Sequence, residues 1–318
     1  MHFPIKDLGL IDTIIGWKIT RDRLTRSLKI SQAHYINDTV ESFGLDKVKT
    51  YTSPLDGYSG ILPAGQDEQL ADDSAYLSAI GSLGYASNST RPDISFAVSQ
   101  LASFNSSPVQ RHWNSVCRVF RYLKGTENYC INYSFGPVSD EFSSALKLQL
   151  FSDSDYASDI TSRRSVSGYI LMVGGGPVSW QSKRQKSVAT STMEAEYVAL
   201  FEASKHAVWV TRSLKDLHVS DQLIDDNGLR TFTDNQSALA LARGTNSART
   251  KHIDVAYHFT RECVTNGDIA VEYIPTNHMI ADVLTKPLTR SKAEHLYRRI
   301  FGLDQTTTGI HLVGQEEC

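Results

Sequence analysis

The chain predicts an α/β fold in two parts: a mixed five-stranded sheet with flanking helices over the C-terminal half, preceded by a smaller α+β region. Short strand-like runs (LKLQLFS, GYILMV, PVSWQS, LRTFT, AVEYIP) all fall from Leu146 onward. The first three come consecutively and the last two alternate with helix-length segments, which is the pattern of a mixed sheet with helices packed on it. Before Leu148 the chain holds two short β runs and then helices. With 318 residues, 41% hydrophobic and 21% charged, there is material for two domains.

Taken in order, TIIGWKIT and SLKIS bracket the charged RDRLTR as the arms of a hairpin. Ser31 is placed to cap a helix through AHYINDTVESF, and Gly44 stands where a left-handed terminator belongs. Residues 51–73 hold Pro54, Gly57, Gly60, Pro63 and Gly65 without periodicity and predict a loop. Helices are expected at 74–87, 92–104 and 108–124, with Pro92 and Pro108 in first-turn positions and Gly125 as terminator. FGPVSDEFSSA marks the boundary, giving regions 1–140 and 141–300 and a tail at 301–318. Beyond it, Gly174 to Gly176 form the turn between the second and third strands. A helix over 193–217 keeps Tyr197, Leu200, Phe201, Ala207, Val208 and Leu214 near one stripe. Trp180 and Trp209 are assigned to the core. SALALA, HIDVAYHFTRECV and the segment around MIADVLTK are read as helical.

No stretch approaches the roughly 18 apolar residues that span a bilayer, and the N-terminus lacks a signal-peptide pattern, so a cytoplasmic or nuclear setting is expected. Cys117, Cys130, Cys263 and Cys318 form no CxxC pair, which argues against a disulfide framework or zinc site. His206, His252 and His258 therefore read as ordinary helix-surface histidines. A net charge of −3 argues mildly against a protein that coats nucleic acid. Local basic clusters exist nonetheless: Arg163 with Arg164, Lys183 to Lys186, and Arg249 with Lys251. The helix carrying Arg111, His112, Arg118, Arg121 and Lys124 can grip a nucleic-acid backbone, but an amphipathic helix with a solvated face is the commoner explanation.

Four stretches, FSDSDYAS, STMEAEYVAL, FTDNQSALALA and IPTNHMIADVLTK, each place an acidic side chain at the edge of a patterned element: Asp153, Glu196, Asp234 and Asp282. Gathered into one cleft, four carboxylates repel unless divalent cations neutralise them. Asp155 and Glu194 are near-miss alternatives two residues away, and Asp159 reads as a turn residue.

These strings, with RRSVSGYI, VSWQSKRQKSVATSTMEAEYVAL and ARTKHIDVAYHFTRE, make residues 148–288 resemble the ribonuclease H domain of copia-type retrotransposon polyproteins. KDLGLIDTIIGWKITRD and SLGYASNSTRPDISFAVSQLASF resemble the thumb- or connection-like region that follows the polymerase site in the same polyproteins. The resemblance implies a ribonuclease H-like sheet in which Asp153, Glu196, Asp234 and Asp282 hold two ions, Mg²⁺ or Mn²⁺, which suit hard oxygen ligands. One ion would activate a water and the other, about 4 Å away, would stabilise the leaving 3′ oxygen. The substrate would be the RNA strand of an RNA/DNA hybrid, recognised by duplex shape and 2′-hydroxyls. Ser154, Asn235 and Gln236 are candidate groove contacts, Arg163, Arg164 and Lys183 candidate phosphate contacts, and His278 a candidate for product release or proton transfer. Partners implied are the hybrid and the rest of a reverse transcriptase or integrase polyprotein, in a virus-like particle or the nucleus, with no membrane. A polymerase is not expected, because the two Asp-Asp pairs, at 72–73 and 225–226, lie in polar, loop-like surroundings. An integrase would bring a His/Cys zinc module. The rival reading is a truncated, inactive retroelement remnant that binds nucleic acid without cutting it.

Overall fold

In the computed structural model, residue 6 and residues 9–65, 68–135, 146–244 and 254–303 are described. The expected boundary near 140, His252, Arg249, Lys251 and all but the start of the 301–318 tail lie outside them. The N-terminal region forms a four-stranded antiparallel sheet in the order β1 (Thr13–Ile14), β2 (Trp17–Asp22), β3 (Ser27–Ser31), β4 (Ile131–Ser134). TIIGWKIT is therefore not one arm of a hairpin. It contains a turn of its own, with Ile15 and Gly16 both at positive φ, and the expected hairpin is β2–β3. β4 had no counterpart in the predicted elements; it pairs with β3 across about a hundred residues of chain, a contact that local patterning does not signal.

Helix α1 (Ala33–Ser42) is followed by Gly44 at φ +67°, as expected of a left-handed terminator. Helix α2 (Asp73–Ser89) begins at Asp72, whose carboxylate accepts from the Ser74 and Ala75 amides. One Asp-Asp pair is thus a helix cap. A 3₁₀ turn at Pro92–Ile94 leads into α3 (Ser95–Ala102), and α4 spans Gln110–Gly125. The cations of α4 are engaged within the chain. Arg111 pairs with Glu68, Arg118 and Arg121 lie over the Tyr51 ring, and Lys124 meets Asn37 and Glu127. The three arginines fasten Lys49, Tyr51, Pro63 and Glu68 to the helix, which favours the structural explanation of its basic face.

The second sheet runs β7 (Gly176–Arg184), β6 (Val166–Val173), β5 (Gln149–Asp155), β8 (Leu229–Thr233), β9 (Ile269–Tyr273). β5–β6 and β6–β7 are antiparallel, while β5–β8 and β8–β9 are parallel. This is the mixed five-stranded α/β arrangement that the ribonuclease H resemblance implies. Helix α5 (Thr192–Asp216), α6 (Gln236–Ala242) and α7 (Asp254–Thr265) cover one face, burying Leu148, Leu150, Tyr197, Leu200 and Leu229. The opposite face, with Phe151, Val166, Ile170 and Phe232, shares one core with the N-terminal helices, the 3₁₀ segment Ile280–Leu284 and α8 (Arg290–Ile300). Trp180 joins that core and donates from Nε1 to the Ser87 carbonyl (2.8 Å). Trp209, expected in the core, is 64% exposed on the outward side of α5 against His206. Trp209 lies two residues beyond Ala207, about 200° around the helix, and so points away from the buried face marked by Ala203, Ala207 and Thr211.

Where the two regions meet, Arg91 is fully buried and clasps Asp93 in a bidentate pair, Nε to Oδ1 at 3.0 Å and Nη2 to Oδ2 at 2.7 Å. Tyr122 donates its hydroxyl to the same carboxylate (2.6 Å), Thr126 accepts from the guanidinium, and the Tyr129 and Phe301 rings lie against it. A charge can persist in such a core because every donor of the fork meets an oxygen or an aromatic face.

Candidate metal centre

Asp153 and Asp234 are brought together by register. β5 and β8 pair in parallel with Phe151 opposite Phe232, and these rings stack at 4.9 Å. Two residues further on, Asp153 and Asp234 project from neighbouring strand ends on the same face. Glu196 arrives from the first turns of α5, which starts at Ser191. The Ser191 hydroxyl accepts from the Glu194 amide (3.2 Å), and Glu194 accepts in return from Thr190. That reciprocal cap occupies Glu194 and leaves Glu196, two residues on, to face the strand ends.

Ligand oxygens of Asp153, Glu196 and Asp234 all lie within 4.8 Å of one another. Burial raises the Asp153 carboxyl to about 7, with Lys286 opposing the rise and Asp282 adding to it. Burial first, then the Asp153 and Asp234 charges, raise Glu196 to about 9. Glu196 Oε2 is buried without a hydrogen-bond partner among the described residues. Three hard oxygen donors, like-charged, partly dehydrated and with one oxygen unpartnered, fit a divalent cation.

Asp282 departs from the expected foursome. It is fully buried, but its carboxylate is ion-paired with Lys286 (2.7 Å) and Lys292 and lies outside the three-residue group. Lys286 follows Asp282 by four residues and returns to it across one turn, so the chain itself supplies the counter-charge. Lys286 also reaches Asp153 Oδ2 at 3.3 Å, and the Thr285 hydroxyl donates to that same oxygen. Lys286 is held charged: burial works against the ammonium, and Asp153 and Asp282 outweigh it.

The other candidates fall in different places. Asp155 accepts from the hydroxyl of Tyr58, a residue of the N-terminal region. Asp159 is a turn residue, as expected, accepting from the Thr161 and Ser162 amides and pairing with Arg184. Ser154 is buried on the face that α5 covers, and its hydroxyl acts on the Glu196 carboxyl, working against the rise in its pKa. Asn235 caps α6, its side chain accepting from the Ala238 amide at 2.9 Å, while Gln236 is exposed beside it. Arg163 and Arg164 are exposed in the β5–β6 turn. Lys183 is exposed on β7 in the row of Ser154 and Ser167, two strands or about 10 Å from β5. All three lie at the carboxylate end of the sheet. His278 is exposed and contacts none of the carboxylates. Its ring is 6.4 Å from that of His295, and partial desolvation with the Arg299 charge lowers its pKa. Nearer the site, Thr276 donates to Asp234 Oδ2 at 2.7 Å. His206, stacked on Tyr169 and hydrogen-bonded to Ser179, is no ligand.

Tyr58, Thr276, Thr285, Lys286 and Lys292 were not singled out in the sequence. Lys286 had a usable signal, its i+4 spacing from Asp282; Tyr58, 97 residues from its partner, had none. Gly168 is another hidden requirement. It pairs with Asp153, and a Cβ there would meet Leu284 Cβ at 2.7 Å and Thr285 Cγ2 at 2.8 Å. Gly168→Ala is expected to push the 280–286 segment off the sheet and lower stability by about 1–3 kcal/mol in urea denaturation.

Metal-free protein should also lose stability as pH rises. Asp153 and Glu196 keep protons in the folded state that the unfolded chain releases near pH 4. Their contribution is complete below about pH 4 and is lost through about 7 and about 9. Melting temperature measured in chelator should fall across that window, and Glu196→Gln should flatten its upper part.

No family model matches the chain. It is 40% identical over 310 residues to the retrovirus-related Pol polyprotein from transposon TNT 1-94 of Nicotiana tabacum, covering 95% of this chain and 22% of that protein. It is 33% identical over 306 residues to the Pol polyprotein from transposon RE1 of Arabidopsis thaliana, covering 94% and 19%. The chain thus spans about a fifth of the length of these relatives. Among solved structures, the N-terminal RNase H domain of a Mycobacterium tuberculosis protein overlaps 48% of this chain and 97% of its own, at 12% identity and a TM-score of 0.33; the fold assignment rests on strand order and direction instead. By its sequence similarity along nearly its whole length, the chain belongs to the retrovirus-related Pol polyproteins of copia-type retrotransposons.

Proposed function

We propose that the chain is the ribonuclease H portion of a retrotransposon Pol polyprotein and hydrolyses the RNA strand of RNA/DNA hybrids. The observation that carries this reading is the convergence of Asp153, Glu196 and Asp234 within 4.8 Å at the carboxyl ends of two parallel strands. Strand ends locked by the Phe151–Phe232 stack hold ligands rigidly. Divalent Mg²⁺ or Mn²⁺, when bound, would supply a water of lowered pKa and a Lewis acid for the scissile phosphate.

The protein's own side chains do the rest. Asp153, Glu196 and Asp234 would hold the cation, with Thr276 orienting Asp234 and Thr285 orienting Asp153. Asp282 is the fourth carboxylate of the proposed set, within reach of Asp153 through Lys286. Arg163, Arg164 and Lys183 offer phosphate contacts along one end of the sheet. A hybrid would be read by its groove shape and 2′-hydroxyls. Asp72 caps a helix and Asp225 pairs with Lys147, so neither Asp-Asp pair lends support to a polymerase reading.

Among the described residues no helix is long and apolar enough to cross a membrane. A virus-like particle or the nucleus, with the remaining polyprotein as partner, is the setting that goes with this activity. The test is a hybrid carrying end-labelled RNA. The expected products bear 5′ phosphates and 3′ hydroxyls and form with Mg²⁺ or Mn²⁺ but not with chelator. Failure to cut with either ion would overturn the reading in favour of an inactive remnant.

A further inference from the structure

Lys286 Nζ lies 2.7 Å from Asp282 Oδ1 and 3.3 Å from Asp153 Oδ2. One cation thus bridges two buried carboxylates beside the group of three that fits a metal. Resting on that reading of the three carboxylates, we propose that Lys286 is a built-in cation filling the position between Asp153 and Asp282, so that the protein without nucleic acid takes up one divalent ion and not two.

Three further features support this. An ammonium and a divalent ion cannot share one small space, because like charges a few ångströms apart repel strongly away from bulk water. The Lys286 side chain is 28% exposed, so it has a route to solvent or to an incoming phosphate. Lys292 pairs with Asp282 independently, so that carboxylate keeps a counter-charge when Lys286 leaves it. Asp153 likewise keeps the Thr285 hydroxyl. A phosphodiester, which competes for ammonium groups, would therefore be able to vacate the position, and the second cation site would open only with nucleic acid present.

The experiment is a Mn²⁺ titration of the full chain without nucleic acid, read by calorimetry and by the electron paramagnetic resonance signal of free Mn²⁺. Wild type is expected to bind one ion, Lys286→Met two, and Lys286→Arg one. Adding Asp282→Asn to Lys286→Met should return the count to one. Lys286→Gln serves as a second neutral variant should the Met variant not fold, judged by circular dichroism. Two ions in wild type, or one in both neutral variants, would overturn the proposal. A second ion persisting in Lys286→Met/Asp282→Asn would overturn its placement. No ion bound by wild type would instead sink the underlying reading of Asp153, Glu196 and Asp234, and this inference with it.

Discussion

Asp153→Asn is expected to abolish hybrid cleavage while leaving the fold intact. Asp153 is central: its strand is the middle one of the sheet, and its carboxylate faces Glu196, Asp234, Thr285 and Lys286. An amide of the same shape removes one anionic ligand. A loss of about 10³-fold, or roughly 4 kcal/mol at 1.4 kcal/mol per decade, is the scale expected when charge stabilisation by a bound cation is forfeited. Stability should move the other way in chelator, because the substitution relieves repulsion within a buried like-charged group. Melting curves and single-turnover cleavage on the same preparation separate the two effects. Cleavage surviving in Asp153→Asn would reject the site, and a large fall in melting temperature would reject the clustering.

Arg91→Met is expected to be the most destabilising single change in the N-terminal region. Among the described residues it leaves the Asp93 carboxylate buried with only the Tyr122 hydroxyl as partner, and orphaning one member of a buried ion pair costs about 3–5 kcal/mol. Removing both charges, Arg91→Met with Asp93→Leu, should recover much of that loss, because no naked charge remains. Urea denaturation of the single and double variants tests this. A single-variant loss below about 1 kcal/mol would place the pair among weak surface-type interactions.

Much of the C-terminal half was legible because local pattern and tertiary requirement coincide there. Short apolar strands ending in Asp153 and Asp234, and a capped helix opening on Glu196, announce both the elements and the direction in which the acids point. Asp282 was read as one of four equals because a spacing on its own does not show which charges return to it. Its neutralisation by Lys286 and Lys292 appears only once the 280–292 segment folds back on the sheet. Helix α8 had no counterpart in the predicted elements, although Ala293, Leu296, Tyr297 and Ile300 make a helical stripe. The β3–β4 pairing and the approach of Tyr58 to Asp155 join distant parts of the chain and leave no periodic trace. The exposure of Trp209 shows the converse error, a large aromatic read as interior on residue type alone.

The continuous core on one side of the five-stranded sheet bears on how this chain can be dissected. Resemblance alone suggests excising residues 148–288 as a portable nuclease. That cut would discard Leu296, Tyr297, Ile300 and Phe301, together with the helices that roof Ile280–Leu284. The segment bearing Asp282 and Lys286 would then be the first to lose its support, so a trimmed fragment would forfeit the arrangement of carboxylates before losing its sheet. For this protein the minimal folding unit is drawn by shared packing, and it includes sequence that looks like the trailing end of a polymerase.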